Sequence, residues 1–358
     1  MTQTKFVRRL TSEAAEKPQK LVDQLFYHAY SIWLFTYSDL HIMLFPETAF
    51  GVLHALWFTE TQSTDPAGPS TKEVIERIPL VLYWVWINLL AFNISNQRGP
   101  ESVAEDAINK PWRTMPSGRW SPELASYGHK LAYSLALVSS WFIGGLRPCI
   151  VLTILGFWYN DCGGGDGRAF TRNFINAMGF TSFGLGALEV ALDQSLNFTA
   201  ATLLDLSAPN LEQWILLLVI AVLSTVHMQD MHDQEGDKFR GRSTMPLQIG
   251  DAPARWIIVG FMLLWGVVCP LFWRCGLLGY AMSTSIAYTV VFRSFFLRTV
   301  SEDRMTFAIW NLWMVSLYAL PLERLLNNYI TSIPVPINVN NMITTSPLRF
   351  VGGTSENP

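Results

Sequence analysis

Charge is scarce in this chain: Asp, Glu, Lys and Arg make up 15 % of its 358 residues, where soluble domains carry about 25 %. A surface bathed in water on every side needs more. The net charge is −3 and no basic stripe interleaved with aromatics occurs, which excludes a nucleic-acid footprint. Cysteine is sparse as well. Cys149, Cys162, Cys269 and Cys275 form no CxxC pair and lie in or beside apolar runs, so packing is expected of them rather than a disulfide framework or a thiolate metal site. The opening 24 residues are polar, with Lys5, Arg8, Arg9, Lys17 and Lys20, and no short apolar core with a cleavage site follows. That excludes a cleaved secretory signal and leaves the first membrane span to direct insertion.

Apolar length is what the sequence has in abundance. Hydrophobic residues make up 50 % of it and gather into runs suited to membrane helices. About nine runs are expected to span, or eight if the short fourth does not cross: Tyr27–Trp57, Ile78–Phe92, Leu124–Phe142, Pro148–Tyr159, Phe174–Val190, Leu211–Met228, Arg255–Trp273, Leu277–Phe296 and Phe307–Leu325. The fold class is therefore an all-α polytopic bundle around a central cavity, with residues 1–24 a polar tail, 25–326 one membrane domain and 327–358 a C-terminal tail. Basic residues support a cytosolic N-terminus, because Arg98, Lys110, Arg113, Arg119, Arg168, Arg172, Lys238, Arg240, Arg242, Arg255, Arg298 and Arg304 all fall in loops on one side. The sequon at Asn197 falls on the other.

Two loops on the basic side carry the chemistry. In the second, Asp230, Asp233 and Asp237 stand at i, i+3 and i+7, which on a helix places three carboxylates in one stripe at a membrane edge. Their mutual repulsion is relieved by a divalent cation, and magnesium takes one or two carboxylates while filling its other positions with water and phosphate oxygens. Lys238 and Arg242 lie close by. In the first loop Asn93, Gln97, Glu101 and Glu105 recur every fourth residue, with Pro100 a break point, and Lys110, Arg113 and Arg119 follow. Carboxylates mixed with guanidiniums suit a metal-bridged diphosphate gripped directly as well. A solvated acidic connection is the bland alternative for either loop.

Asp-x-x-Asp-x-Glu-Gly-Asp over 230–237, followed by Lys238, Gly241, Thr244 and Pro246, closely resembles the second aspartate-rich motif of the UbiA superfamily of intramembrane prenyltransferases. Arg113-x-x-Pro-Ser-Gly-Arg119 resembles the end of that family's first motif, and Pro46-x-Thr48-x-x-Gly51 a feature of its first helix. The family pattern Asn-x-x-x-Asp-x-x-x-Asp departs here to Asn93-x-x-x-Gln97-x-x-x-Glu101. Anchoring on the Pro-Ser-Gly end instead puts Asn96 first. The altered loop is similar to the fungal branch that includes UbiA-type terpene cyclases.

The resemblance implies magnesium as cofactor, an isoprenyl diphosphate as substrate (farnesyl diphosphate favoured), and a multi-pass location, endoplasmic reticulum expected, with both motif loops cytosolic. Asp230, Asp233, Asp237, Glu101 and Glu105 would be the catalytic metal ligands, and Asn93, Gln97, Lys110, Arg113, Arg119, Lys238 and Arg242 would bind substrate. Restoring the family charge with Gln97→Asp is expected to be tolerated. A sesquiterpene-type cyclase is the leading function, prenyl transfer to an aromatic or other acceptor the second, and a membrane transporter without catalysis the third. His227 and His232 read as hydrogen-bonded or solvent-side residues, Glu189 and Asp193 as groups meeting water, and Gly163–Gly167 as a plain linker.

Overall fold

The computed structural model describes residues 21–61, 68–205 and 207–332, and all its regular elements are helices. The chain opens with α1 (21–36), passes a 3-10 turn (Tyr37–Asp39) and a π turn (Leu40–Leu44), and continues as α2 (Phe45–Thr61). Then come α3 (Thr71–Glu76), α4 (Ile78–Gln97), α5 (Pro100–Asn109), α6 (Pro122–Ile143), α7 (Leu146–Asn160), α8 (Ala169–Leu192) and α9 (Ala200–Leu204). The second half holds α10 (Leu211–Thr225) with its 3-10 extension (Val226–Asp230), α11 (Gln234–Arg240), α12 (Met245–Ile249), α13 (Asp251–Trp273), α14 (Leu277–Phe296), α15 (Val300–Tyr318) and α16 (Leu320–Ser332). The helix that ends the chain's described part thus runs past the expected tail boundary at 327. The first 20 residues and those after Ser332 lie outside the described residues.

Among the described residues five helices are long and apolar enough to cross a membrane, six if α15 and α16, bent by 46° across Ala319, count as one span. The expected count of nine is not reached by this measure. α7 has only 15 residues, while α6 carries His129 and Lys130 and α14 carries Arg293 within its run. Large apolar side chains nonetheless face outward on all three, among them Leu131, Trp141 and Phe142, Ile154 and Phe157, and Phe292 and Phe296.

The break between α1 and α2 follows from one residue. Pro46 has no N–H to give and its ring crowds the turn before it, so the helix loosens upstream, where the Phe45 N–H reaches back to the Leu40 carbonyl in π fashion. Straight, the 41 residues of α1 and α2 would extend about 60 Å, twice the thickness of a bilayer core. The break leaves the Phe35 carbonyl free of helix pairing, and two amides from α4 claim it: Asn93 Nδ2 at 3.0 Å and Gln97 Nε2 at 2.9 Å.

Small residues set how closely the helices approach. Trp84 of α4 is fully buried, its indole N–H donating to Ser140 Oγ at 2.8 Å, and its ring lies where a Cβ on Gly186 of α8 would intrude to 1.9 Å. Deeper in, the Trp214 indole N–H donates to His54 Nε2 at 2.9 Å, which places the His54 proton on Nδ1, facing the Phe50 carbonyl at 2.8 Å. Glu189 is buried, accepting from the Leu196 N–H, and Asp193 is the exposed one of the pair, bridged to Arg77. Of the cysteines, Cys149 and Cys269 are buried and Cys275 partly so, whereas Cys162 is exposed, in the connection after α7.

Gly51 gives the fold its direct test. A Cβ there would stand 2.6 Å from the Ala187 backbone carbon, and backbone cannot yield as a side chain does. Gly51→Val should therefore lower folded stability by about 1–3 kcal/mol or more, read as the melting temperature of the purified protein in detergent. A melting temperature equal to that of the parent would show that α2 and α8 do not meet as described.

Candidate active site

The two motif loops meet at one end of the bundle. α4 ends at Gln97, Gly99 is extended, and Pro100 opens α5 at its first position, where a missing N–H costs nothing. The four-residue rhythm therefore does not continue across the junction. Asn93 and Gln97 stay with α4, Glu101 is exposed in the first turn of α5, and Glu105 is buried a turn later. The aspartate stripe is divided too, because the chain passes from a 3-10 helix ending at Asp230 through a turn into α11. Asp230 and Asp237 are fully buried, while the Asp233 side chain keeps 18 % exposure. Gly236 makes the loops' contact possible, since a Cβ there would fall 2.1 Å from Asn109 Nδ2 of α5.

The buried carboxylates are pinned by cations, several of them from another segment. Arg242 Nη1 donates to Glu105 Oε1 at 2.6 Å and Asp237 Oδ1 at 3.0 Å, and its Nε donates to Asp166 at 3.0 Å. Arg240 reaches Glu105 at 3.0 Å and Asp166 at 3.2 Å. Lys110 Nζ lies 3.2 Å from Asp233, Arg172 Nη2 2.8 Å from Asp230, and Arg113 binds both oxygens of Asp106 at 3.0 Å while its Nη2 donates to Ser38 and faces Asp39 at 3.6 Å. Burial alone would raise the Asp233 carboxyl, but Lys110 and His232 outweigh it and hold it at about 2. Burial wins at Asp237, pushed up to about 6 against the pull of Arg172 and Arg242, with Asp230 adding to the rise.

Several of these residues line a cavity of about 660 Å³, within the roughly 300–1,000 Å³ range of small-molecule sites. Asn93, Asn96, Glu105, Lys110, Arg113, Asp233 and Arg242 line it. Asp39, Asp106, Arg172, His232 and Arg304 add further charged or titratable groups, and the apolar and aromatic part of the wall includes Leu89, Phe92, Leu152, Ile175, Phe180, Phe183 and Phe307. Asp230 and Asp237 stand just behind the lining. Gln97 is spent on α1, 1 % exposed. Arg119 is elsewhere: it clamps α1, donating to the Tyr27 carbonyl and Ser31 Oγ with its guanidinium 4.1 Å over the Tyr27 ring. Lys238 is exposed and lies off the cavity.

Nothing in the sequence marks Asp39, hidden in the first apolar run, or Asp166, inside the glycine-rich connection, which is no plain linker since the Asp166 carbonyl accepts from the Ser243 N–H at 2.9 Å. Arg172 reads in the sequence only as a topogenic charge. An arginine at the head of an apolar span is the available signal. His227 is buried against the Ala254 carbonyl at 3.2 Å, and His232 lines the cavity beside Asp233 at 3.7 Å.

The donor set fits magnesium. One oxygen on each of Asp230, Asp233 and Asp237 is buried without a hydrogen-bond partner, while the partner oxygen is held by a cation. Among the described residues no three carboxylate, imidazole or thiolate groups converge to enclose a bare ion, so water and phosphate oxygens would have to complete the shell of any magnesium held there.

Residues 48–315 match the UbiA prenyltransferase family. The chain belongs to that family. It is 27 % identical over 192 residues to the fumagillin β-trans-bergamotene synthase of Aspergillus fumigatus, covering 53 % of this chain and 62 % of that one. It is 30 % identical over 236 residues to the somaliensene A/B synthase of Streptomyces somaliensis, covering 64 % and 69 %. The chain thus matches under two thirds of the length of the first of these relatives. A UbiA homologue from Archaeoglobus fulgidus, solved bound to GPP and Mg2+, superposes with a TM-score of 0.51 at 13 % identity over 79 % of this chain and 99 % of that one, which shows the shared fold.

Asp233→Asn should reduce diphosphate release from an isoprenyl diphosphate by about 10²-fold or more, with the protein still inserted and folded. Release near the parental rate would remove Asp233 from the site. Gln97→Asp is now expected to destabilise the protein by about 1–3 kcal/mol, because it sets a buried carboxylate against the Phe35 carbonyl where an amide donated. Unchanged melting in detergent would contradict that contact.

Proposed function

We propose that this chain is a membrane-embedded terpene cyclase that ionises farnesyl diphosphate and closes the resulting cation on the substrate's own double bonds. The observation that carries the reading is one cavity lined both by charged side chains from the two loops and by apolar and aromatic ones. Heterolysis of the allylic C–O bond leaves the electron pair on diphosphate, so groups that hold that charge stabilise the transition state more than the ground state. Lys110, Arg113 and Arg242 line it as donors, with Asp233 among them and Asp230 and Asp237 behind. Arg172 orients Asp230 from α8. Magnesium held there would neutralise the departing diphosphate and bridge it to the carboxylates.

The cation left behind must not meet water. Phe92, Phe180, Phe183 and Phe307 supply apolar walls and ring faces, each face worth roughly 0.5–2 kcal/mol to a cation nearby. A double bond of the substrate's own isoprenyl chain then closes the ring on the cation, and loss of a proton to the released diphosphate yields a hydrocarbon. The terpene-synthase relatives support cyclisation. Prenyl transfer to an acceptor is the second reading, favoured by the family's description and by polyprenyl transferases among the relatives. The same proposal places both loops on the cytosolic side of the endoplasmic reticulum, with α6, α7 and α14 crossing the bilayer on their outward apolar faces.

Farnesyl diphosphate and magnesium given to microsomes holding the protein should yield a volatile hydrocarbon and free diphosphate. EDTA should stop both, and added aromatic acceptors should change neither. Formation of a prenylated adduct only when an acceptor is supplied would overturn cyclisation in favour of transfer.

A further inference from the structure

Two adjacent residues of α8 meet the cavity in opposite ways. Gly179 lines it, and a Cβ built there finds nothing within 4 Å. Phe180 lines it too and also borders a second, separate void of about 10 Å³, room for a single water. That void lies among Phe50, Ile215, Leu218, Val222 and Met314, with Glu47 and Tyr318 at its polar side. Phe180 is 7 % exposed and is backed edge-on by Trp310 at 5.9 Å. Its ring is a partition between the working cavity and the bundle interior.

Position along the helix gives the partition a scale. Arg172, which holds Asp230 behind the charged lining, precedes Phe180 by two and a quarter helical turns on the same continuous helix. At 1.5 Å per residue that is roughly 12 Å, comparable with an extended farnesyl chain and short of a geranylgeranyl one. We infer that Gly179 and Phe180 set the length of isoprenyl chain the cavity accepts: Gly179 leaves the width a chain needs, and the Phe180 ring, with Phe183 almost one turn further along α8, forms the far wall. This rests on the proposed isoprenyl diphosphate substrate and adds the determinant of its length.

The pair can be tested in both directions. Phe180→Ala removes a ring comparable in size with one isoprene unit and joins the cavity to the void behind it. Gly179→Leu sits on an ordinary helical backbone, projects into open space and narrows the cavity. Diphosphate release from geranyl, farnesyl and geranylgeranyl diphosphates, each with magnesium, reads both. Phe180→Ala should raise the geranylgeranyl-to-farnesyl ratio of kcat/KM about tenfold or more, and Gly179→Leu should lower the farnesyl-to-geranyl ratio by a similar factor.

Parental ratios in both variants would overturn the assignment, and parental ratios in Gly179→Leu alone would do so if Phe180→Ala fails to fold. Absence of release from all three substrates by the parent protein would instead overturn the isoprenyl diphosphate reading. The two failures are therefore distinct.

Discussion

Arg242 joins what the sequence keeps 137 residues apart. Its guanidinium binds Glu105 of the first loop and Asp237 of the second within 3.0 Å, and Asp166 of a third segment at the same distance. A buried charge cluster of this kind stands only if each member is paired, since removing one partner strands the others at a cost of about 3–5 kcal/mol. The loops are thereby committed to one arrangement before any ligand arrives. Preorganisation matters for the proposed function, because a diphosphate gripped by fixed cations would need little rearrangement as charge develops on it.

The helices serve that arrangement. Pro46 breaks the first long helix, and the break brings Asp39 to the cavity beside Arg113 while exposing the Phe35 carbonyl to Asn93 and Gln97. The residue that departs from the family pattern is thus occupied in holding α1 against α4. A carboxylate in its place would have no donor to offer that carbonyl. Charge lost at position 97 is available nearby in Glu105 and Asp106, both buried at the same loop.

Much of this was legible in the sequence, for identifiable reasons. Apolar periodicity and the shortage of charge showed a helical membrane bundle, and the spacing of Asp230, Asp233 and Asp237 marked one half of the site. Span counting was less sure, because α7 is short and α6 and α14 interrupt their apolar runs with small, polar and charged residues such as Glu123, Lys130 and Arg293, which lower the mean hydropathy although large apolar side chains still face outward. The first loop misled at Glu101 because Gly99 and Pro100 restart the helix and reset its register. Asp39 and Asp166 carry no sequence signal, and Arg172 reads only as a topogenic charge, because each is a single charge whose partners are far away in sequence. Arg119 carried a motif's signature yet holds α1, a role only the fold could show.

The central claim is that both loops hold one metal-bound diphosphate in the cavity. It is tested most directly by a structure of the protein with Mn2+ in place of magnesium and an unreactive farnesyl thiodiphosphate, locating the metal by anomalous scattering. The expected density places the metal against Asp233 and the diphosphate between Lys110, Arg113 and Arg242, with the farnesyl chain running toward Phe180. Diphosphate bound away from these residues, or metal held without contact to the second loop, would contradict the account.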